Sequence, residues 1–76
     1  MDVTYVLEGI TFTWDEAKAR ANLRKHGVTF EIAAEVFLDP FIRVVGESGK
    51  NGEVRQTAMG MTRGWQILRV AYVFRT

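Results

Sequence analysis

The chain has 76 residues, 47% of them hydrophobic, and a formal net charge of +1, so it reads as one small globular domain, residues 1–76, near the lower limit of what folds alone. It contains no cysteine, which excludes disulfide staples and thiolate metal sites and makes a reducing cytoplasm the natural compartment. No apolar run is long enough for a membrane span, and the near-neutral charge leaves no global electrostatic footprint for nucleic acid, so any basic patch has to be local.

Residues 3–7 and 10–13 flank Glu8-Gly9, a pattern for a short hairpin or a bent strand. Residues 13–16 have capping-box spacing, with Asp15 as a rival N-cap to Thr13. The helix that follows is predicted to run to about His26. Gly27 then supplies a left-handed residue past the helix end, and Val28 is placed to touch Leu23 in a Schellman stop. Thr29 caps a second helix that ends before Asp39-Pro40, because proline disfavours helical geometry in the preceding residue. Phe30, Ala33, Ala34 and Phe37, with Ile32 and Val36 alongside, give it a wide buried face. From Phe41 the period becomes that of strands. The pattern predicts a strand over 41–45, a flexible glycine-rich loop over 46–52, a strand over 53–61, a tight turn over 62–64 and a strand over 65–74. The order β, α, α, β, β, β predicts an α+β fold, a meander sheet with two helices on one face. The last strand is strongly apolar and the sequence stops at Arg75-Thr76. At a sheet edge its unpaired backbone would invite another chain, so a homodimer or other contact through that strand is expected, unless a C-terminal element has been lost.

Lys18, Arg20, Arg24 and Lys25 follow along the first helix with no acidic residue among them, while Asp15 and Glu16 stand at its start, where negative charge suits the helix dipole. At ~100° per residue, Lys18, Asn22, Lys25 and His26 fall within an arc of roughly 100°, with Trp14 at its margin. Cations neutralise phosphates, an indole can stack on a base, and histidine exchanges protons near neutral pH. The stripe is therefore a candidate RNA contact. Each member also has a plain reading: lysines on a solvated face, a histidine suiting the dipole, a core tryptophan, an asparagine tying down a neighbouring loop. Taken singly, each residue favours the plain reading. On the strands, Glu53 and Arg55 are spaced to share a face, with Arg63 and Arg69 on the next turn and strand; the plain reading there is a solvent-facing ion pair. A single histidine with scattered carboxylates gives no metal-ligand spacing, and Ser48 offers no activated nucleophile, so neither metal nor cofactor is expected.

Taken jointly, Phe12-x-Trp14-Asp15-x-x-Lys18-x-x-x-Asn22-x-x-Lys25-His26-Gly27-Val28-x-Phe30 resembles the N-terminal signature of the BrnT toxins of type II toxin–antitoxin systems. Ala34, Val36-Phe37, Asp39-Pro40, Glu53, Arg55, Gly60 and Thr62 continue the likeness. The resemblance implies a RelE-like fold with two N-terminal helices packed on an antiparallel sheet. It implies a metal-independent ribonuclease that inhibits translation and is neutralised by its antitoxin. The implied partner is a BrnA-like ribbon-helix-helix antitoxin from the same bacterial operon, with operator DNA reached only through that antitoxin. Lys25, His26, Glu53 and Arg55 are implied as the catalytic positions, and Trp14, Lys18, Asn22 and Arg63 are the candidate RNA contacts. This chain departs from the family pattern in carrying Gln56 where an aromatic residue usually follows the strand arginine. It also has Val54 where an acidic residue often precedes that arginine, and it stops before the family's further strand and final helix. The rival expectation is a catalytically inactive or truncated homologue that acts only as an antitoxin-binding module.

Overall fold

The computed structural model describes residues 1–50 and 52–74, with Lys50 described by its backbone alone. The chain divides into two compact units, Met1–Glu35 and Val36–Thr76. In the first, β1 (Asp2–Leu7) and β2 (Ile10–Asp15) pair as an antiparallel hairpin. The connecting Glu8 and Gly9 both have positive φ, 49° and 81°, as a type I′ turn requires, because its twist matches that of the strands it joins. Of the two readings of this stretch, the hairpin is the one that forms.

β2 extends beyond the predicted Thr13, which pairs with Thr4, while Asp15 pairs with Asp2. A residue held in mid-ladder cannot cap the helix, so Asp15, at the strand's end, is the N-cap of α1 (Glu16–His26) and Thr13 is not. Its carboxylate accepts the Lys18 N–H at 3.0 Å. Gly27 closes the helix with φ 71° and donates its N–H to Leu23 O at 2.8 Å. That bond is the one of the simpler αL motif, which replaces the expected Schellman arrangement. α2 (Phe30–Ala34) starts at Thr29, whose hydroxyl accepts the Ile32 N–H at 3.2 Å. It then tightens into a 3-10 helix, Glu35–Leu38, with the Glu35 N–H reaching Ile32 O. The expected single helix is thus two short pieces, because a 3-10 turn satisfies the last carbonyls where Asp39-Pro40 forbids another α-turn. Ala33, Ala34 and Val36 are buried, but Ile32 is 39% exposed, so the buried face is narrower than its apolar composition suggests.

In the second unit β3 (Arg43–Lys50), β4 (Glu53–Met61) and β5 (Ile67–Tyr72) form an antiparallel meander in the order β3-β4-β5. β4 has the predicted bounds; its neighbours do not. The stretch predicted as a glycine-rich loop is strand: Gly46 pairs with Thr57, Ser48 with Arg55, Gly49 with Val54 and Lys50 with Glu53. A backbone ladder needs no side chain, so pairing with β4 outweighs the ~0.5–1 kcal/mol penalty of each interior glycine. The register slips between Val44 and Gly46, leaving Val45 as a bulge. β3 begins at Arg43 rather than Phe41 because Ile42 N–H closes a turn onto Asp39 O at 3.1 Å. The β4–β5 connection also runs past the predicted Gly64. Thr62 O accepts the Trp65 N–H at 3.1 Å, Thr62 N–H donates to Gln66 O at 2.8 Å, and the Thr62 hydroxyl accepts the Gln66 N–H at 3.2 Å. β5 therefore starts at Ile67, and it ends at Tyr72 rather than Phe74. The expectations that rest on Asn51 and on Arg75-Thr76 lie outside the described residues.

One face of this sheet meets the 3-10 helix. Val36 is fully buried, and a Cβ placed on Gly60 would stand 2.8 Å from Val36 Cγ1 and 3.0 Å from Val36 O. On the same face Phe37 and Tyr72 meet edge to face at 5.0 Å, and the Tyr72 hydroxyl donates to Gln56 Oε1 at 2.8 Å. Alternation along β4 then sends Glu53, Arg55, Thr57, Met59 and Met61 to the opposite face.

Candidate functional site

Lys25 and His26 stand in the last turn of α1, both exposed. The turn is fixed from both sides. Gly27 reverses the chain immediately after it, and Asn22 Nδ2 donates to Val28 O at 3.0 Å, holding the segment that follows against the helix. Trp14 is half-buried between two rings, 5.7 Å from Tyr5 and 5.6 Å from Phe30, the latter edge to face. Trp14 and Asn22 therefore make the intrachain contacts of their plain readings. Lys18 is exposed in the first turn. Arg20 lies 3.5 Å from Glu16, an i,i+4 pair on a solvated face, of a kind worth only ~0.3–0.5 kcal/mol. At the helix start Asp15 takes the Lys18 N–H and lies 3.5 Å from the Met1 ammonium. The backbone hydrogen bond first, and the ammonium charge after it, hold its carboxyl below the ordinary 3.8.

In the second unit Glu53 and Arg55 are exposed on one face of β4, with Ser48 opposite Arg55. Among the described residues no carboxylate lies within ion-pairing distance of Arg55, so the plain Glu53–Arg55 ion pair does not form. Arg63 is exposed in the β4–β5 turn. The alternation of one strand brings Glu53 beside Arg55, as adjacency in one helical turn brings Lys25 beside His26.

Asp39 carries a role beyond the helix stop that the sequence marks. Its Oδ1 accepts the Phe41 N–H and its Oδ2 the Met61 N–H, both at 2.8 Å. These two bonds hold its carboxyl below the ordinary 3.8. The Asp-Pro dipeptide gives no signal for the bond to Met61, which depends on where β4 ends in space. An open notch of about 170 Å³ lies beside it, lined by Asp39, Phe41, Arg43, Met59, Gly60, Met61 and Ile67. Sites that enclose a small molecule run to ~300–1,000 Å³, so a ligand would lie on this surface rather than inside it. Among the described residues no three His, Asp or Glu side chains form a group that could hold a metal ion. No described helix is long and apolar enough to cross a membrane.

The fold is α+β with two helices and antiparallel sheets. The family model described as ribonuclease toxin, BrnT, of type II toxin–antitoxin system matches residues 14–76, a span that takes in α1, α2 and the whole meander. The chain belongs to this family of ribonuclease toxins. A comparison with curated proteins found no match. Membership in a type II system implies an antitoxin as partner.

Proposed function

We propose that the chain is an endoribonuclease that cleaves RNA without a metal ion, inhibits translation, and is neutralised by its bound antitoxin. The observation that carries this reading is the family match over residues 14–76, which includes Lys25, His26, Glu53 and Arg55, all four of them exposed. Metal-free cleavage has the ribose 2′-hydroxyl attack the adjacent phosphate, leaving a 2′,3′-cyclic phosphate and a 5′-hydroxyl. That chemistry needs a base, an acid for the leaving oxygen, and cations for the charge that builds on phosphorus. Lys25 and Arg55 are assigned to that charge, His26 to proton transfer, and Glu53 to the base or orienting carboxylate. Lys18 and Arg63 are assigned to RNA phosphates, with Asn22 one turn past Lys18 on α1 and Trp14 just ahead of the helix in β2 as further RNA contacts.

The same reading extends to the setting. A RelE-like arrangement, with the helices packed on the sheet, is the fold expected of such a toxin. The bacterial cytoplasm is its compartment, and a BrnA-like ribbon-helix-helix antitoxin carries the complex to operator DNA. Among the described residues β5 is paired on one side only, by β4. An open strand edge favours a strand-mediated contact with the antitoxin or a second copy. The test is cleavage of a defined RNA in the presence of EDTA, with and without a single 2′-deoxy sugar at the cut position. Cleavage that persists in EDTA, yields 5′-hydroxyl ends and stops at the deoxy sugar is expected. Loss of activity in EDTA, or cutting at the deoxy sugar, rejects the mechanism.

A further inference from the structure

Besides Glu53 and Arg55, the open face of the C-terminal sheet carries side chains to which none of the roles above is attached. Arg43 and Arg69 are both cross-strand partners of Met59, so the three side chains stand in one row on the face opposite Val36. Two strand spacings put the arginine backbones ~10 Å apart, and Arg55 follows ~13 Å further along β4 on the same face. Among the described residues none of these three arginines has an ion-pair partner. Two acids share the surface. Glu53 lies at its far end, and Asp39 lies at its rim with both oxygens already taken by backbone N–H groups.

The rim of that face is aromatic. Phe41 is 82% exposed, and the Asp39 carboxylate, by bonding the Phe41 and Met61 amides, pins it to the end of the sheet. Trp65 is 83% exposed in the β4–β5 turn at the same end. Its φ is 67°, a left-handed conformation that glycine adopts freely and a bulky side chain does not. Strain of this kind concentrates at ligand clamps, and here a tryptophan occupies the glycine position of a hairpin turn while presenting its indole to water.

We propose that this face binds single-stranded RNA, with Arg43 and Arg69 on successive stretches of the phosphate backbone and Phe41 and Trp65 stacked against bases. The proposal rests on the ribonuclease reading and adds to it the track on which the strand lies. Cations that follow a backbone, with aromatic rings beside them, are the recurring means of holding unpaired strands. The notch between Phe41 and Ile67 gives an edge of a base somewhere to rest without enclosing it.

The probe is a short 2′-O-methyl oligoribonucleotide, which lacks the attacking hydroxyl, titrated against the full chain by fluorescence anisotropy over a range of salt. The Arg43→Ala, Arg69→Ala double variant is expected to bind more weakly and to lower the slope of log affinity against log salt by about 1.4, at about 0.7 for each phosphate left without its cation. Trp65→Gly is expected to weaken binding roughly 5- to 150-fold without lowering Tm, since glycine relieves the backbone. Folding and RNA binding are thereby read separately. Variants that keep the wild-type affinity and slope overturn this proposal alone. Variants that keep RNA but lose the antitoxin also overturn it and assign the face to the antitoxin. A wild-type chain that binds no RNA overturns the proposal together with the ribonuclease reading.

Discussion

At Gly60 the side chain is hydrogen because nothing larger fits. The nearest atoms to an added Cβ are Val36 Cγ1 at 2.8 Å and Val36 O at 3.0 Å, and Val36 is fully buried. The methyl can turn away, but the carbonyl is fixed in the 3-10 helix. Gly60→Ala is therefore expected to cost about 1–3 kcal/mol, the range for overpacking a filled core, read as a fall in urea midpoint at unchanged slope. A midpoint equal to wild type would show that the 3-10 helix yields. Trp14 and Asn22 show the opposite relation between a residue and its setting. Each has two readings in the sequence, and each makes the ring or carbonyl contact of its plain reading. Neither contact competes with Lys25 and His26, because the Asn22–Val28 bond holds the segment just past them.

In the second unit a polar clasp joins two elements. Asp39 ties the entry to β3 to the last residue of β4 through two amide bonds that only the carboxylate accepts fully. Because its folded pKa lies below the ordinary 3.8, the unfolded chain binds the proton first as pH falls. The stabilisation is complete above about pH 5, well clear of the unfolded value, and disappears as pH drops through the folded pKa. Asp39→Asn is thus expected to lower Tm at pH 7, with the gap to wild type narrowing as pH falls below the ordinary 3.8, measured by thermal melts from neutral to acid pH. Asp15 titrates in the same window but is present in both proteins, so it cancels from the difference. A gap independent of pH would contradict the carboxylate's role.

The same element scale shows what is legible in the chain. The α1 helix is legible because its signals are local: an acidic N-cap, a run of helix formers, and a glycine that must take φ 71°. The bounds of β4 are legible for the same reason. β3 is not, because three glycines and polar residues within 46–52 look like a loop until β4 lies beside them. Asn51-Gly52 does carry a hairpin signal, and Gly52 has the positive φ, 76°, that such a turn needs. The row Arg43–Met59–Arg69 depends on two registers and a bulge at Val45, none of which follows from spacing along the chain. Trp65 gives no turn signal at all, because a tryptophan in a left-handed position contradicts the preference by which turns are recognised.

Across the molecule, charge is nearly balanced, with ten basic and nine acidic residues, yet cations gather on particular elements. In the first unit they line α1 and end at Lys25 and His26. In the second they stand on the open sheet face and in its turn, at Arg43, Arg55, Arg63 and Arg69. The family match over residues 14–76 spans both sets. On the proposed reading each unit takes a share in handling a polyanion, and metal-free RNA cleavage by Lys25, His26, Glu53 and Arg55 is the central claim. The most direct test is the initial rate at which the purified full chain cleaves a defined RNA, compared with Lys25→Ala and Arg55→Ala variants of unchanged Tm. Each variant is expected to be slower by on the order of 10²–10³, the cost of removing one stabiliser of transition-state charge. Variants that cleave as fast as wild type would contradict the assignment.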